Sequence, residues 1–399
     1  MFKSALMQEI DRRGLLHSCT APQDLDALLA DGERLTVYAG FDCTADSLHV
    51  GNLVTLRLLR LFKDFGHKVV PLIGSATTMI GDPSGKDAAR PLLSSEQIRE
   101  NSNGIKESIF RVIGETEDLE FNSDWTLGLN LVDFLRDVGR KVSVNRMLTL
   151  ESVSRRLEGE EGISFLEFTY SLFQANDFLR LFENRGVSVQ IGGSDQWGNI
   201  VMGTDLIRKT HPGAKVFGIT HPLLTNSRGE KMGKSVKGAV WLNESKLSNF
   251  EFFQFWRNVD DAEVDRLLKL FVGVEQQPSD INDAKILLAT EITNMVRGDG
   301  AGEQCARSAK ILFTNGEGLS GIPEMSITVG QAILDLLVLS KLCTSKSDAR
   351  RTIEQRGIKL NDVIVDDPTR VITNADLNSS LEAKLSRGKK NHVRLFAVL

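Results

Sequence analysis

TVYAGFDCTADSLHVGNLVTLRLLRLFKDFGHKVVPLI, residues 36–73, is the stretch whose reading decides the fold. Its opening, LTVYAGFD from 35 to 42, alternates as a strand does and ends in a Gly/Asp turn. A polar loop follows, in which Ser47 is placed to cap a helix beginning near Leu48. Leu53, Leu56 and Leu59 then recur at helical spacing until Gly66 stops the run. KVVPLI, 68–73, reads as a buried strand. Strand, helix, strand at this spacing is a βαβ unit, which predicts a mostly parallel sheet with flanking helices and ligands at the carboxyl ends of its strands.

Outward from this unit, GSATTMIGDPSGK (74–86) is a glycine-bearing loop and residues 100–185 read as mainly helical. SVQIGGSDQWGNI (188–200) is a short apolar strand running into a polar loop, and HPLLTNSRGEKMGKS (221–235) is a loop dense in Gly, Ser and Lys. Residues 246–313 carry few breakers and predict a helical domain, followed by the Gly/Pro/Ser linker TNGEGLSGIPEMS (314–326). The end of the chain reads as a capped helix, SKSDARRTIEQRG, with Gly357 closing it, then IKLNDVIV with a turn at Asn361-Asp362, then a basic, turn-rich tail, RGKKNHVR.

With 399 residues, 25% charged and 41% hydrophobic, the chain has the composition of a multidomain soluble protein. No apolar run reaches the roughly 18 residues of a membrane span, and the N-terminus mixes both charge signs in the manner of a short amphipathic helix, not a signal peptide. Cys19, Cys43, Cys305 and Cys343 are widely spaced, which argues against a zinc site or disulfide framework and for a reducing cytoplasm. The net charge of −5 conceals a basic end: Gln331–Leu399 carries +4, a balance that suits a polyanionic partner.

Two short motifs point to phosphate chemistry. In SLHVGN, His49 and Asn52 lie three apart on a first helical turn, Gly51 lets a planar ligand approach the backbone, and the helix N-terminus favours an anion. In GEKMGKS (229–235), Lys231 and Lys234 stand on a glycine-rich loop, where flexible ammonium groups suit a polyphosphate. Neither this motif nor GDPSGK has the spacing of a Walker A loop, and no GxGxxG follows a strand. Each motif alone is as compatible with an ordinary polar surface. Tyr38 is notable in a chain with 2 tyrosines and 20 phenylalanines.

In their order along the chain these segments resemble the bacterial-type tyrosyl-tRNA synthetases, class I aminoacyl-tRNA synthetases. LHVGN matches the HIGH signature and KMGKS the KMSKS signature. YAGFDCTADSLHVGN, GDPSGK, ISFLEFTYSLFQANDF and QIGGSDQWGN look like substrate-site segments of that family. The resemblance implies an α/β chain: a Rossmann-like catalytic domain over 1–225 with a helical insertion near 115–185, a loop and linker over 226–245, an all-helical anticodon-side domain over 246–313, a linker over 314–328 and a small basic α+β RNA-binding domain over 329–399. It implies a tyrosine site of Tyr38, Asp82, Tyr170, Gln174, Asp177 and Gln196. It implies an ATP site of Gly40, Asp42, Gly51, Gly193, Asp195 and Lys234. The groups facing the reacting phosphates would be His49, Asn52, Lys231, Lys234 and Ser235, with Thr44, Lys86 and Arg90 assisting. Arg208, Lys209, Lys346, Arg350, Arg351 and Arg356 would meet tRNA. The partners so implied are L-tyrosine, ATP as its Mg²⁺ complex, a tRNA and a second copy of the chain through 115–185, in the cytoplasm and away from membranes.

Asn52 stands where the signature has a second His, Cys43 where a proline is usual and Asn176 where an aromatic is usual. A tryptophanyl relative, a small-molecule adenylyltransferase and an RNA-binding descendant of a synthetase share parts of this pattern. Tyr38 with Asp177 favours tyrosine, and the basic tail favours tRNA.

Overall fold

The computed structural model describes residues 1–399 except 85–91, 160–161, 236–237, 275, 315–322, 378–380, 389–390 and 398–399, and gives backbone alone at 234–235 and 311–314. It forms two compact units: Met1–Leu247 with Asn258–Gly298, and Ser248–Arg257 with Asp299–Leu399. The stretch 246–313, read from the sequence as one helical domain, is divided between them. Helices Asp261–Leu267 and Ile281–Arg297 belong to the first unit, where buried Arg57 donates from Nε to the Phe271 carbonyl at 3.0 Å. Helices Asn249–Arg257 and Ala301–Thr314 belong to the second. Among the described residues no helix is long and apolar enough to cross a membrane.

The first unit is built on strands β1 (Ser18–Cys19), β2 (Thr36–Asp42), β3 (Lys68–Gly74), β4 (Glu120–Phe121), β5 (Val187–Gly193) and β6 (Phe217–His221), in the order β1-β6-β5-β2-β3-β4. Every pairing is parallel except β1 with β6. β2 and β3 pair in unbroken register from Thr36 with Lys68 to Asp42 with Gly74. Six consecutive residues of β3 are buried, as expected of a parallel strand covered on both faces. Helices α1 (Val50–Asp64), α2 (Ser95–Ile113), α3 (Phe165–Arg185) and α4 (Trp197–Thr210) pack on this sheet. Strand order reverses at β2, which lies between β3, next in sequence, and β5, added from far along the chain. That reversal opens a crevice at the carboxyl ends of β2 and β5.

The start of α1 differs from the sequence expectation. His49, not Ser47, is the N-cap: its Nδ1 accepts from the Gly51 N–H at 3.0 Å, and Asn52 Oδ1 accepts from the His49 N–H at 3.2 Å. Ser47 is drawn away by other partners, donating to the Leu48 carbonyl and accepting from the Asn243 N–H. Beyond β6, the Lys231 loop ends in a small ribbon, β7 (Lys234–Ser235) against β8 (Gly238–Ala239).

The second unit carries a five-stranded sheet of β9 (Glu324–Ile327), β10 (Ile358–Leu360), β11 (Val363–Ile364), β12 (Glu382–Arg387) and β13 (Asn391–Ala397), ordered β11-β10-β12-β13-β9. Helices α5 (Ile333–Leu339) and α6 (Lys346–Glu354) bury Leu336, Leu337, Ala349 and Ile353 in the same core as this sheet. Asn361 and Asp362 both take positive φ, 49° and 66°, and so close the β10–β11 hairpin with a primed turn. After α6 the left-handed residue is Arg356 (φ 58°), not Gly357. The tail expected to be turn-rich is largely strand, because β12 and β13 pair over six residues on either side of Gly388.

Candidate active site

The crevice is a cavity of about 690 Å³ within the first unit. Fifteen of the sequence-predicted residues line it: Tyr38, Gly40, Asp42, Thr44, His49, Gly51, Asn52, Asp82, Tyr170, Gln174, Asp177, Gly193, Asp195, Gln196 and Lys231. Lys86 and Arg90 lie outside the described residues, as do the side chains of Lys234 and Ser235.

One end of the cavity is a polar pair in an apolar setting. Tyr38, 1% exposed, packs against Phe178 with ring centroids 5.2 Å apart, and its hydroxyl has no partner among the described residues. Asp177, 2% exposed, accepts from Asn122 Nδ2 at 2.9 Å and from Trp125 Nε1 at 2.8 Å. Burial pushes the Asp177 carboxyl up to about 7 despite those two donors, and the charge of Asp42 adds to the rise. Burial, with the Asp177 charge, raises the Tyr38 phenol well above its usual value, so Tyr38 remains a hydroxyl. The result is an unsatisfied O–H beside a carboxylate, a site shaped to hydrogen-bond one more hydroxyl and costly to fill with an apolar ring.

A chain of hydrogen bonds carries this end to the next. Asn122 accepts from the Ala76 N–H at 2.7 Å and donates its second amide hydrogen to Thr77 Oγ1 at 3.0 Å. Thr77 donates to Asp42 Oδ1 at 2.8 Å, and Tyr170 donates to Asp42 Oδ2 at 3.0 Å. Gln196 donates to Asp82 Oδ2 at 2.8 Å, while Asn199 donates to both Gln174 Oε1 and Gln196 Oε1. Asp82 and the acceptor oxygens of Gln174 and Gln196 thus line one acceptor-rich stretch of the cavity, which suits an ammonium group.

At the other end stand the two signatures. Because His49 Nδ1 accepts a backbone N–H, a neutral ring carries its hydrogen on Nε2 and donates from there. Asn52 Oδ1 is occupied by the cap, which leaves its amide N–H₂ as the donor. A Cβ on Gly51 would fall 2.7 Å from His49 Cε1, so only glycine fits there with the ring in place. The first signature segment is joined through the backbone to the stretch that follows the second: Val50 N–H donates to the Val240 carbonyl at 2.9 Å and Leu242 N–H to the Leu48 carbonyl at 2.8 Å. Buried Asn243 clasps the same junction, accepting from Ser108 Oγ at 2.7 Å and donating to the Gly104 carbonyl at 2.8 Å. Lys231, more than half exposed, reaches Asp195 Oδ2 at 3.3 Å.

Asn122, Trp125, Thr77, His221 and Asn243 were not singled out from the sequence. Asn122 and Trp125 follow the two-residue strand β4, too short to leave a periodic signal. Of the basic residues expected to meet tRNA, Arg208 donates to the Val216 carbonyl at 3.0 Å and Lys209 to the Lys141 carbonyl at 2.6 Å. In the second unit Lys346 pairs with Asp335 and Arg351 with Asp348, while Arg350 and Arg356 are exposed.

The family model described as tRNA synthetases class I (W and Y) matches residues 30–314, and that of a tyrosine–tRNA ligase SYY-like C-terminal domain matches 315–395. The chain is 43% identical over 411 residues to a tyrosine–tRNA ligase of Brucella abortus (strain 2308), covering 98% of each chain. It is 42% identical over 405 residues to that of Pelagibacter ubique, again with 98% of each covered. Among solved structures, a C-terminally truncated mitochondrial tyrosyl-tRNA synthetase of Aspergillus nidulans superposes with a TM-score of 0.66 at 30% identity, over 77% of this chain and 94% of that one. The chain therefore belongs to the class I tRNA synthetases, in their bacterial-type tyrosyl branch.

Proposed function

We propose that the chain is a tyrosine–tRNA ligase whose tyrosine site is the phenol end of the cavity and whose ATP site is the end carrying His49 and Lys231. The observation that carries this is the Tyr38 hydroxyl, buried beside Asp177 without a partner among the described residues. The substrate hydroxyl donates to Asp177 and accepts from Tyr38, and phenylalanine would leave the Tyr38 hydroxyl unpaired and Asp177 short of that third bond; the same hydroxyl-based rejection is a known property of this enzyme class. The substrate ammonium lies among Asp82, Tyr170, Gln174 and Gln196. Its carboxylate oxygen attacks the α-phosphorus of Mg²⁺–ATP, the bond to the bridging oxygen breaks, and pyrophosphate leaves with the electron pair. His49, Asn52, Lys231, Lys234 and Ser235, with Thr44, Lys86 and Arg90, meet the charge that develops, while Gly40, Asp42, Gly51, Gly193 and Asp195 seat the nucleoside. In the second step a 3′-terminal ribose hydroxyl of tRNA attacks the tyrosyl carbonyl, loses its proton, and AMP departs. No side-chain nucleophile is required, so catalysis is positioning with electrostatic stabilisation.

Arg208, Lys209 and the α6 cations Lys346, Arg350 and Arg351, with Arg356 beyond it, contact tRNA phosphates on this reading. A homodimer through 115–185 is supported by the exposed apolar side chains Leu127, Leu131, Val132 and Phe165. Four free cysteines accord with a cytoplasmic site of action. ATP–pyrophosphate exchange with tyrosine, phenylalanine and tryptophan tests the proposal. Exchange with tyrosine alone is expected, exchange with tryptophan moves the chain to the sister enzymes, and none from folded protein refutes the reading.

A further inference from the structure

We propose that His221 is a positioning residue for the nucleotide, a strut that sets the root of the Lys231 loop against the helix carrying His49. This rests on the placement of ATP at that end of the cavity. His221 closes β6, pairs in register with Gly193 of β5, and lines the cavity wall with Leu223 and Leu224. It is 2% exposed, and both ring nitrogens are engaged. Nδ1 lies 2.8 Å from the Pro222 carbonyl, which only accepts, so Nδ1 carries the hydrogen. Nε2 is then the acceptor, taking the Thr55 hydroxyl at 2.8 Å. Thr55 stands on α1, six residues after His49. Pro222 opens the segment whose Leu224 carbonyl accepts from Met232 N–H at 2.7 Å, and Thr225 bridges to Lys231. One imidazole therefore ties the helix of the first signature to the backbone that presents the second. A purely structural filler at the end of a buried strand needs neither bond, and an aliphatic side chain would serve.

Each half of the strut is separable. Thr55→Val keeps the shape and removes the hydroxyl. His221→Asn retains an amide able to donate to Pro222 but cannot reach Thr55. His221→Gln reaches Thr55 and gives up Pro222. ATP–pyrophosphate exchange and equilibrium tyrosine binding are measured on each, with Asp195→Ala alongside. Thr55→Val and His221→Asn are each expected to raise the KM for ATP about tenfold, the loss of one buried hydrogen bond, with the tyrosine Kd unchanged. The double variant is expected to be no worse than either single one, because the two act through one bond. A tyrosine Kd that shifts as far as the ATP KM overturns the strut in favour of a general structural role. An ATP KM unmoved in both His221→Asn and Thr55→Val but raised in Asp195→Ala overturns the strut alone. A value unmoved in all three overturns the nucleotide placement with it.

Discussion

Trp125 donates its indole N–H to Asp177 at 2.8 Å, and the residue it holds lines the cavity with almost no exposure. Asn122 supplies the second donor. Trp125→Phe removes one of the two without changing the ring's bulk greatly. Leaving a buried carboxylate short of a donor costs about 1–3 kcal/mol, so tyrosine affinity is expected to fall about tenfold or more, read by equilibrium binding.

The same carboxyl gives a pH dependence. Asp177 ionises near 3.8 when unfolded and near 7 in the fold. Between these values the folded chain holds the extra proton, so Asp177's contribution to stability falls as pH rises from about 4 to 7 and is level beyond. Tyrosine affinity runs the other way, growing as pH passes through 7 and the carboxylate becomes an acceptor for the substrate hydroxyl. Asp177→Asn is expected to flatten the binding profile; a wild-type profile flat from pH 6 to 8 would contradict the assignment.

Gly51→Ala places a methyl 2.7 Å from His49 Cε1 and 2.9 Å from Nδ1. The ring must leave its cap, and with it the geometry of its Nε2 donor. Exchange activity should drop by about 10²-fold, the scale of losing one donor to developing charge, with tyrosine binding intact.

Lys231 meets Asp195 at the surface, and such a pair contributes about 0–1 kcal/mol. Lys231→Ala should therefore leave the melting temperature where it is and reduce the exchange rate by about 10²–10³-fold. A large loss of stability would instead mark the lysine as structural.

Asn176 is fully buried in α3, and neither amide atom has a partner among the described residues. Asn176→Leu replaces it with an apolar side chain of similar branching and is expected to raise the melting temperature by a few degrees, since an unpaired buried amide costs about 1–3 kcal/mol. A fall would mean that the amide is hydrogen-bonded in solution.

What was legible in the sequence was whatever repeats or clusters. β2, α1 and β3 follow directly from alternation, helical spacing and a glycine stop, and fifteen residues named from the motifs line one cavity. What stayed hidden depends on contacts between distant segments. Asn122 bonds Ala76 and Thr77 on one side and Asp177 on the other, segments that meet only after the sheet is assembled. Ser47 is a good cap by residue type, yet Asn243, far along the chain, claims its oxygen and leaves the cap to His49. Gly357 is the obvious helix stop by composition, but the chain turns left-handed one residue earlier, at Arg356.

The pairing of β2 with β5 joins Tyr38 to Gln190 across about half of the first unit's length. Contacts so distant in sequence are slow to form, because the loop between them must close before any of the pairing is gained. During synthesis β2 emerges early and its open edge waits for β5, a template for pairing with other chains until β5 arrives. The substrate crevice therefore lies on a seam that stays open until β5 has been made. A nascent chain halted before residue 187 carries Tyr38, Asp82, Tyr170, Gln174 and Asp177 but neither β5 nor Gln196 to complete the tyrosine site.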